Sequence, residues 1–121
     1  MEEFEEYRMG HLVRTADLWR QLVELGVTED TMLSFEFTFI VPKDSSSNAL
    51  LEALSDYPLE VVPAEDPEEH TYIRGESGPI TWSEEQLLKW VDYLVWVGQE
   101  TGVEFDGCGT SVQESSERAS P

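Results

Sequence analysis

The chain has 121 residues, enough for one domain whose hydrophobic core folds without disulfides or metal. Its 26 acidic residues against 7 basic residues give a net charge of −19, which repels phosphate backbones and anionic lipid headgroups. Direct binding to nucleic acid or to a membrane is therefore disfavoured. The same field attracts cationic surfaces, although acidity also serves solubility or adaptation to high salt.

Cysteine usage and the first residues bear on the compartment. Cys108 is the only cysteine, which excludes an intramolecular disulfide and any zinc site built on paired thiolates, and favours a reducing, cytoplasmic setting. The acidic start, Met-Glu-Glu-Phe-Glu-Glu, lacks the basic and apolar pattern of a secretory signal. The mostly apolar stretch 87–97 is too short to span a bilayer.

The first half of the chain predicts a helix and a strand. Residues 1–10 are acidic, and we expect a flexible N-terminal segment. Residues 11–25 place apolar side chains on one side of a helix that Gly26 ends. Residues 33–41 alternate between two faces and predict a strand that ends at Pro42.

The second half predicts a short helix, a hairpin and a long helix. Residues 44–48 offer several caps for a helix that runs to about residue 56, with leucines on its buried side. The short runs 59–62 and 70–74 suit paired strands, and 75–79 a loop. Two overlapping capping boxes, which begin at Thr81 and Ser83, predict a helix that ends near Thr101.

This order of elements predicts the α+β class, as a two-layer α/β sandwich with a mostly antiparallel sheet. We expect the ferredoxin-like βαββαβ topology with an extra N-terminal helix. The single domain would cover residues 11–112, followed by a polar, disordered tail at residues 113–121.

The final segment of the predicted domain has the most distinctive sequence. After Gly102, the alternation from Val103 to Asp106 predicts a short strand, and the following glycines predict a tight turn. This run, Gly-Val-Glu-Phe-Asp-Gly-Cys-Gly-Thr, resembles the closing motif of the regulator of ribonuclease activity B family, the ribonuclease E inhibitors. Phe105 and Cys108 stand where that family has Tyr and Trp.

The order of elements between about Thr15 and Val112 is also similar to that family. The resemblance implies an α/β sandwich and a non-enzymatic regulator that modulates RNA processing and decay by binding ribonuclease E. It also implies that the motif is a structural turn, formed by Asp106, Gly107, Cys108, Gly109 and Thr110.

Catalytic and metal chemistry have little support in the sequence. Cys108 with His11 or His70 as base would need an electropositive setting, yet Glu104 and Asp106 lie close by in sequence. No phosphate-binding glycine loop or serine triad motif is present. The acidic segment that precedes His70 lacks the spacing of a calcium loop. We therefore expect no enzyme activity, metal or cofactor.

Trp96 is the strongest candidate for contact with a partner. It falls on the polar side of its predicted helix beside Asp92, and tryptophan often concentrates binding energy at interfaces. The alternative is that the N-terminal segment or the first helix covers it. Trp19 and Trp90 lie on buried sides and are predicted to be core.

The sequence thus predicts a protein that docks an acidic surface on a basic partner, possible partners being ribonuclease E and related RNA-processing enzymes. An immunity-like protein that neutralises a cationic toxin or nuclease is the alternative. The candidate partner-binding residues are Trp96, Asp92, Glu65, Asp66, Glu68 and Glu69.

Overall fold

The computed structural model describes residues 2–42, 46–63 and 70–110. Its helices are α1 (Glu2–Glu24), α2 (Asn48–Ala53) and α3 (Glu84–Thr101). Its strands are β1 (Met32–Leu33), β2 (Phe35–Val41), β3 (Leu59–Val62), β4 (Thr71–Glu76), β5 (Ile80–Thr81) and β6 (Glu104–Thr110). Within these residues, no helix combines the length and apolarity needed to cross a bilayer. The predicted tail lies outside the described residues.

The main sheet has four strands in the order β3-β4-β2-β6, and every neighbouring pair is antiparallel. The α+β prediction with an antiparallel sheet is therefore confirmed. Along the chain this sheet alternates as strand, helix, two strands, helix and strand, the order of the ferredoxin-like prediction. That finer topology stays a prediction, and the short β1–β5 pair lies outside its scheme.

Strand β2 supplies the centre of the core because its side chains alternate between two faces. Phe35, Phe37 and Phe39 are 0% exposed, whereas Glu36 between them is exposed. The buried side of α3 packs in the same cluster, and its residues there include Leu87, Val91, Leu94 and Val95. The helices therefore cover one face of the sheet and leave the other open.

Both tryptophans predicted to be core pack in this cluster. Trp19 is buried within the cluster, and Trp90 is partly buried and packs against the cluster. The Trp90 ring lies edge-on to Phe37 at 5.7 Å between centroids, and its Nε1 donates a hydrogen bond of 3.0 Å to the Tyr57 hydroxyl. The indole nitrogen thus keeps a polar partner while its rings fill the core.

The predicted strand 33–41 is interrupted at Ser34. Residues Met32–Leu33 form β1 and pair with β5 instead of continuing β2. The indole nitrogen of Trp82 donates a hydrogen bond of 3.0 Å to the Leu33 carbonyl, and the rest of Trp82 is buried. Strand β1 therefore belongs to a separate two-stranded sheet with β5, which alternation alone does not predict.

Helix α1 begins at Glu2, whereas the sequence predicts a helix that starts at residue 11 after a flexible segment. Phe4, Tyr7 and His11 are spaced to fall on one side of the helix. The Tyr7 hydroxyl donates a hydrogen bond to the Phe105 carbonyl, and the Tyr7 ring lies edge-on to His11 at 4.7 Å. These contacts with β6 hold the acidic start of the chain in the helix.

The ends of the other two helices follow local chemistry. Helix α2 is shorter than expected, and Ser47 precedes it without a side-chain capping bond. Of the two possible starts for α3, the structure selects Ser83, whose Oγ accepts a hydrogen bond of 3.1 Å from the Gln86 amide. Gly102 ends α3 with φ of 78°, a left-handed conformation that glycine adopts readily.

The predicted pairing of 59–62 with 70–74 is confirmed as β3 and β4. Strand β4 extends to Glu76, into the segment expected to be a loop. Gly75 lies opposite Phe37 in the neighbouring strand. A glycine at this position leaves room for the phenylalanine ring.

Candidate partner-binding surface

The motif at residues 106–110 is a continuation of β6 and not the predicted tight turn. Strand β6 pairs with β2 up to Thr110, and the register shifts between Phe39 and Thr38 because Asp106 is an extra residue. This is a β-bulge, and Gly107 there has φ of 155°, in the region that favours glycine. The Asp-Gly pair thus marks a bulge between strand halves.

Cys108 lies on the helix-covered side of β6, opposite Phe37. Burial raises the pKa of its thiol to about 11, so the thiol is protonated at neutral pH. The thiol borders a groove of about 490 Å³ between α1 and β6, whose walls also include His11, Arg14 and Leu18. A protonated thiol is a poor nucleophile, which disfavours the catalytic interpretation of Cys108.

His11 and Tyr7 lie between α1 and β6 as structural groups. Burial, and then the neighbouring Arg14 guanidinium, lower the pKa of His11. Burial, and then Glu104, raise the pKa of Tyr7 to about 12. Both shifts favour uncharged side chains, as expected where α1 packs over the edge of the sheet.

Trp96 is 41% exposed, and helix α1 covers part of it. The Phe4 ring lies edge-on at 4.8 Å from the Trp96 ring, and the Arg8 guanidinium lies 5.9 Å from its centroid. Arg8 Nε donates a hydrogen bond of 2.6 Å to Asp92 Oδ1, so Asp92 is engaged within the molecule. The structure therefore brings Trp96 and Asp92 together, beneath the start of α1.

The other predicted contact residues, Glu65, Asp66, Glu68 and Glu69, lie outside the described residues. His70 follows them and is exposed. Within the described ranges, no group of three or more histidine, cysteine or acidic side chains could hold a metal ion.

The open face of the sheet carries an acidic group that was not predicted from the sequence. Glu36, Glu60 and Glu76 are exposed there and line a depression of about 340 Å³ together with Arg74. Register brings them together, because Glu36 lies opposite Glu76, and Glu60 lies opposite Arg74. The sequence places an acidic residue at an exposed, alternating position of each of three strands. Only the order of the strands in the sheet shows that these carboxylates are neighbours.

A half-buried apolar strip lies next to this depression. Ile40, Tyr72 and Val62 occupy one row across β2, β4 and β3, and no described helix covers this face. Glu104 extends the row on β6. We define the acidic sheet face as Glu36, Glu60, Glu76 and Glu104 with this apolar strip.

The positive charges of the described residues lie mostly elsewhere. Arg8 and Arg20 pair with carboxylates on the helices, and Lys89 Nζ lies 3.8 Å from Glu85 Oε1 on α3. On the acidic sheet face of the described residues, Arg74 is the single basic side chain. The face therefore keeps a negative balance of four carboxylates to one guanidinium.

No protein-family model and no curated protein matches this chain. The resemblance of residues 102–110 to the ribonuclease E inhibitors therefore stays a prediction, and the acidic sheet face is described from the chain's own residues.

Proposed function

We propose that this protein is a non-enzymatic regulator that docks its acidic sheet face on a basic region of an RNA-processing enzyme. The resemblance of residues 102–110 to the ribonuclease E inhibitors implies a role of this kind. The observation that carries the proposal is the depression lined by Glu36, Glu60 and Glu76. A depression of this kind suits lysine or arginine side chains, which carboxylates bind by charge-assisted hydrogen bonds.

Repulsion between facing carboxylates favours the binding of a cation at this surface. Glu36 and Glu76 are directly opposite on neighbouring strands, and like charges in that position destabilise a sheet. Arg74 offsets part of this repulsion from the next row. A cation supplied by a partner would offset more, so binding would relieve an unfavourable interaction of the free protein.

The overall charge supports the same role. A net charge of −19 speeds the encounter with a basic protein and opposes contact with nucleic acid. The apolar strip of Ile40, Tyr72 and Val62 would add contact area that does not depend on salt. Regulation would follow from occupancy of the partner.

Binding to purified ribonuclease E, measured by surface plasmon resonance over a range of salt concentrations, tests the proposal. The test variant is Glu36→Gln/Glu60→Gln/Glu76→Gln. Its matched control, Glu24→Gln/Glu29→Gln/Glu52→Gln, removes the same charge from exposed positions outside the sheet. We expect the test variant to associate about ten-fold more slowly than the wild type at low salt, and the control much less so.

An RNA-cleavage assay with the same variants would show whether binding inhibits the enzyme. Equal effects of the two triple variants would contradict a role for the acidic sheet face. Absence of binding at low salt would contradict ribonuclease E as the partner. Tight binding to a cationic nuclease toxin instead would favour the immunity-like alternative.

A further inference from the structure

Strand β6 lies at one edge of the sheet, and the directions of its backbone groups follow from its neighbour β2. Both backbone groups of Phe35 bond to Ser77, on the β4 side, at 3.0 Å and 2.9 Å. These directions alternate along a strand, so Phe37 also points its backbone groups toward β4. Its β6 partner, Cys108, therefore directs its N–H and C=O away from β2.

The same argument applies to the β6 partners of Phe35 and Phe39, which lie two residues from Phe37 on either side in β2. Thr110, opposite Phe35, also points its backbone groups to the outer edge. Phe105, opposite Phe39, does so as well, and its carbonyl accepts the Tyr7 hydroxyl, which confirms the assignment. Helix α1 thus covers the edge at Phe105, whereas no described strand pairs with it from Cys108 to Thr110.

The groove between α1 and β6 gives this edge a place for another chain segment. It measures about 490 Å³ and runs beside Phe105, Asp106 and Cys108 on one wall and Thr15 and Leu18 on the other. An extended segment in this groove would lie beside the outward backbone groups of β6.

Charge decides which segment suits the edge. Asp17 and Asp106 line the groove, and Glu104 is the first residue of β6. Arg14 also lines the groove and Arg20 lies 3.1 Å from Asp17, so the carboxylates left for a partner are Asp106 and Glu104. A second copy of this chain, at net charge −19, would meet repulsion there, whereas lysine or arginine side chains would meet carboxylates.

We propose that the outer edge of β6, from Cys108 to Thr110, accepts an extended cationic segment of the partner as an additional antiparallel strand. The segment would donate and accept backbone hydrogen bonds along the edge and fill the groove beside α1. This inference rests on the proposed function, because the segment belongs to the basic partner that the acidic sheet face attracts. The backbone hydrogen bonds would be additional to the charge attraction.

A synthetic peptide of alternating lysine and valine tests the inference with the full chain. Its matched control has the same sequence with methylated backbone nitrogens, which keeps the charge and removes the donors. NMR hydrogen exchange at Cys108 and Thr110 reports the edge directly. We expect the first peptide to slow exchange at both amides about ten-fold, and to bind about five-fold more tightly for each hydrogen bond that the control lacks.

The variant Cys108→Pro removes an outward N–H that β2 does not use. We expect it to bind the unmethylated peptide about five-fold more weakly than the wild type, once its far-ultraviolet circular dichroism shows a native fold. If the variant does not fold, the comparison of the two peptides decides.

Equal affinity for the two peptides, or unchanged exchange at Cys108 and Thr110, would overturn the inference and leave the acidic sheet face as the docking surface. Slow exchange of these two amides in the free protein at every protein concentration would contradict the inference, because another part of this chain would then pair with the edge. Exchange that slows as the protein concentration increases would also contradict it, because a second copy would then pair with the edge. Ribonuclease E binding by the glutamate variants is measured separately, so failure of the proposed function is distinguishable.

Discussion

At the scale of single residues, two strand glycines predict opposite outcomes for the same substitution. A Cβ at Gly75 would lie 2.7 Å from Phe37 Cε1 and 2.8 Å from Leu59 Cδ2, and the Phe37 ring is fully buried. A Cβ at Gly109 would meet nothing within 4 Å. We expect Gly75→Ala to lower the free energy of unfolding by about 1–3 kcal/mol.

The matched control is Gly109→Ala, which should change the free energy of unfolding by less than about 0.5 kcal/mol. Urea denaturation of both variants measures the difference. Equal stabilities would show that the Phe37 ring can shift to accept the added methyl group.

The Cys108 thiol predicts a loss of stability at alkaline pH. Burial raises its pKa from 9.0 to about 11. The contribution of the protonated thiol to the free energy of unfolding is therefore complete below pH 9 and disappears as pH rises toward about 11. Over that window we expect the free energy of unfolding to fall by about 2–3 kcal/mol more in the wild type than in Cys108→Ala. Both proteins contain Tyr7, so the difference between them cancels the effect of its overlapping titration.

Iodoacetamide labelling is an independent check on the same thiol. In the folded protein at pH 8, we expect labelling about 100-fold slower than in urea, because the thiolate fraction is smaller. Rapid labelling at neutral pH would contradict a protonated, packed thiol and would revive the nucleophile hypothesis.

At the scale of elements, the start of helix α1 predicts a contrast between two of its residues. Phe4 packs against Trp96, whereas Met9 is 49% exposed. We expect Phe4→Ala to lower the free energy of unfolding by about 1–2 kcal/mol, and Met9→Ala by less than about 0.5 kcal/mol. Thermal and urea denaturation measure both. If residues 2–10 were flexible in solution, neither substitution would change stability.

The elements differ in how far the sequence predicts them. Alternation over 35–41 and the Ser83 cap are local signals, and the structure contains both. The start of α1, the break at Ser34 and the bulge at Asp106 depend on contacts with residues far along the chain. Local patterns hold no information on such partners, so these features were not predicted.

At the scale of the whole molecule, the net charge of −19 predicts that salt stabilises the fold. Self-repulsion among the carboxylates opposes the compact state, and screening shortens its range from about 10 Å at 0.1 M to about 3 Å at 1 M salt. We expect the melting temperature, followed by circular dichroism, to rise as sodium chloride increases. A fall would show that ion pairs such as Arg8–Asp92 outweigh the repulsion.

The candidate binding residues show the same division between local and distant information. Trp96 is half exposed as the sequence suggested, but α1 and Arg8 take part of its surface, and Asp92 is paired. The acidic sheet face was not predicted, because Glu36, Glu60 and Glu76 are far apart in sequence. Antiparallel register brings them together.

The sequence by itself determined the acidic character, the α+β class and most helices and strands, because charge adds along a chain and periodicity is a local property. The tertiary structure decided which carboxylates share a surface, which strand lies at the edge, and where α1 covers it. These depend on strand order and on contacts between distant residues, which only the packing of the whole chain specifies.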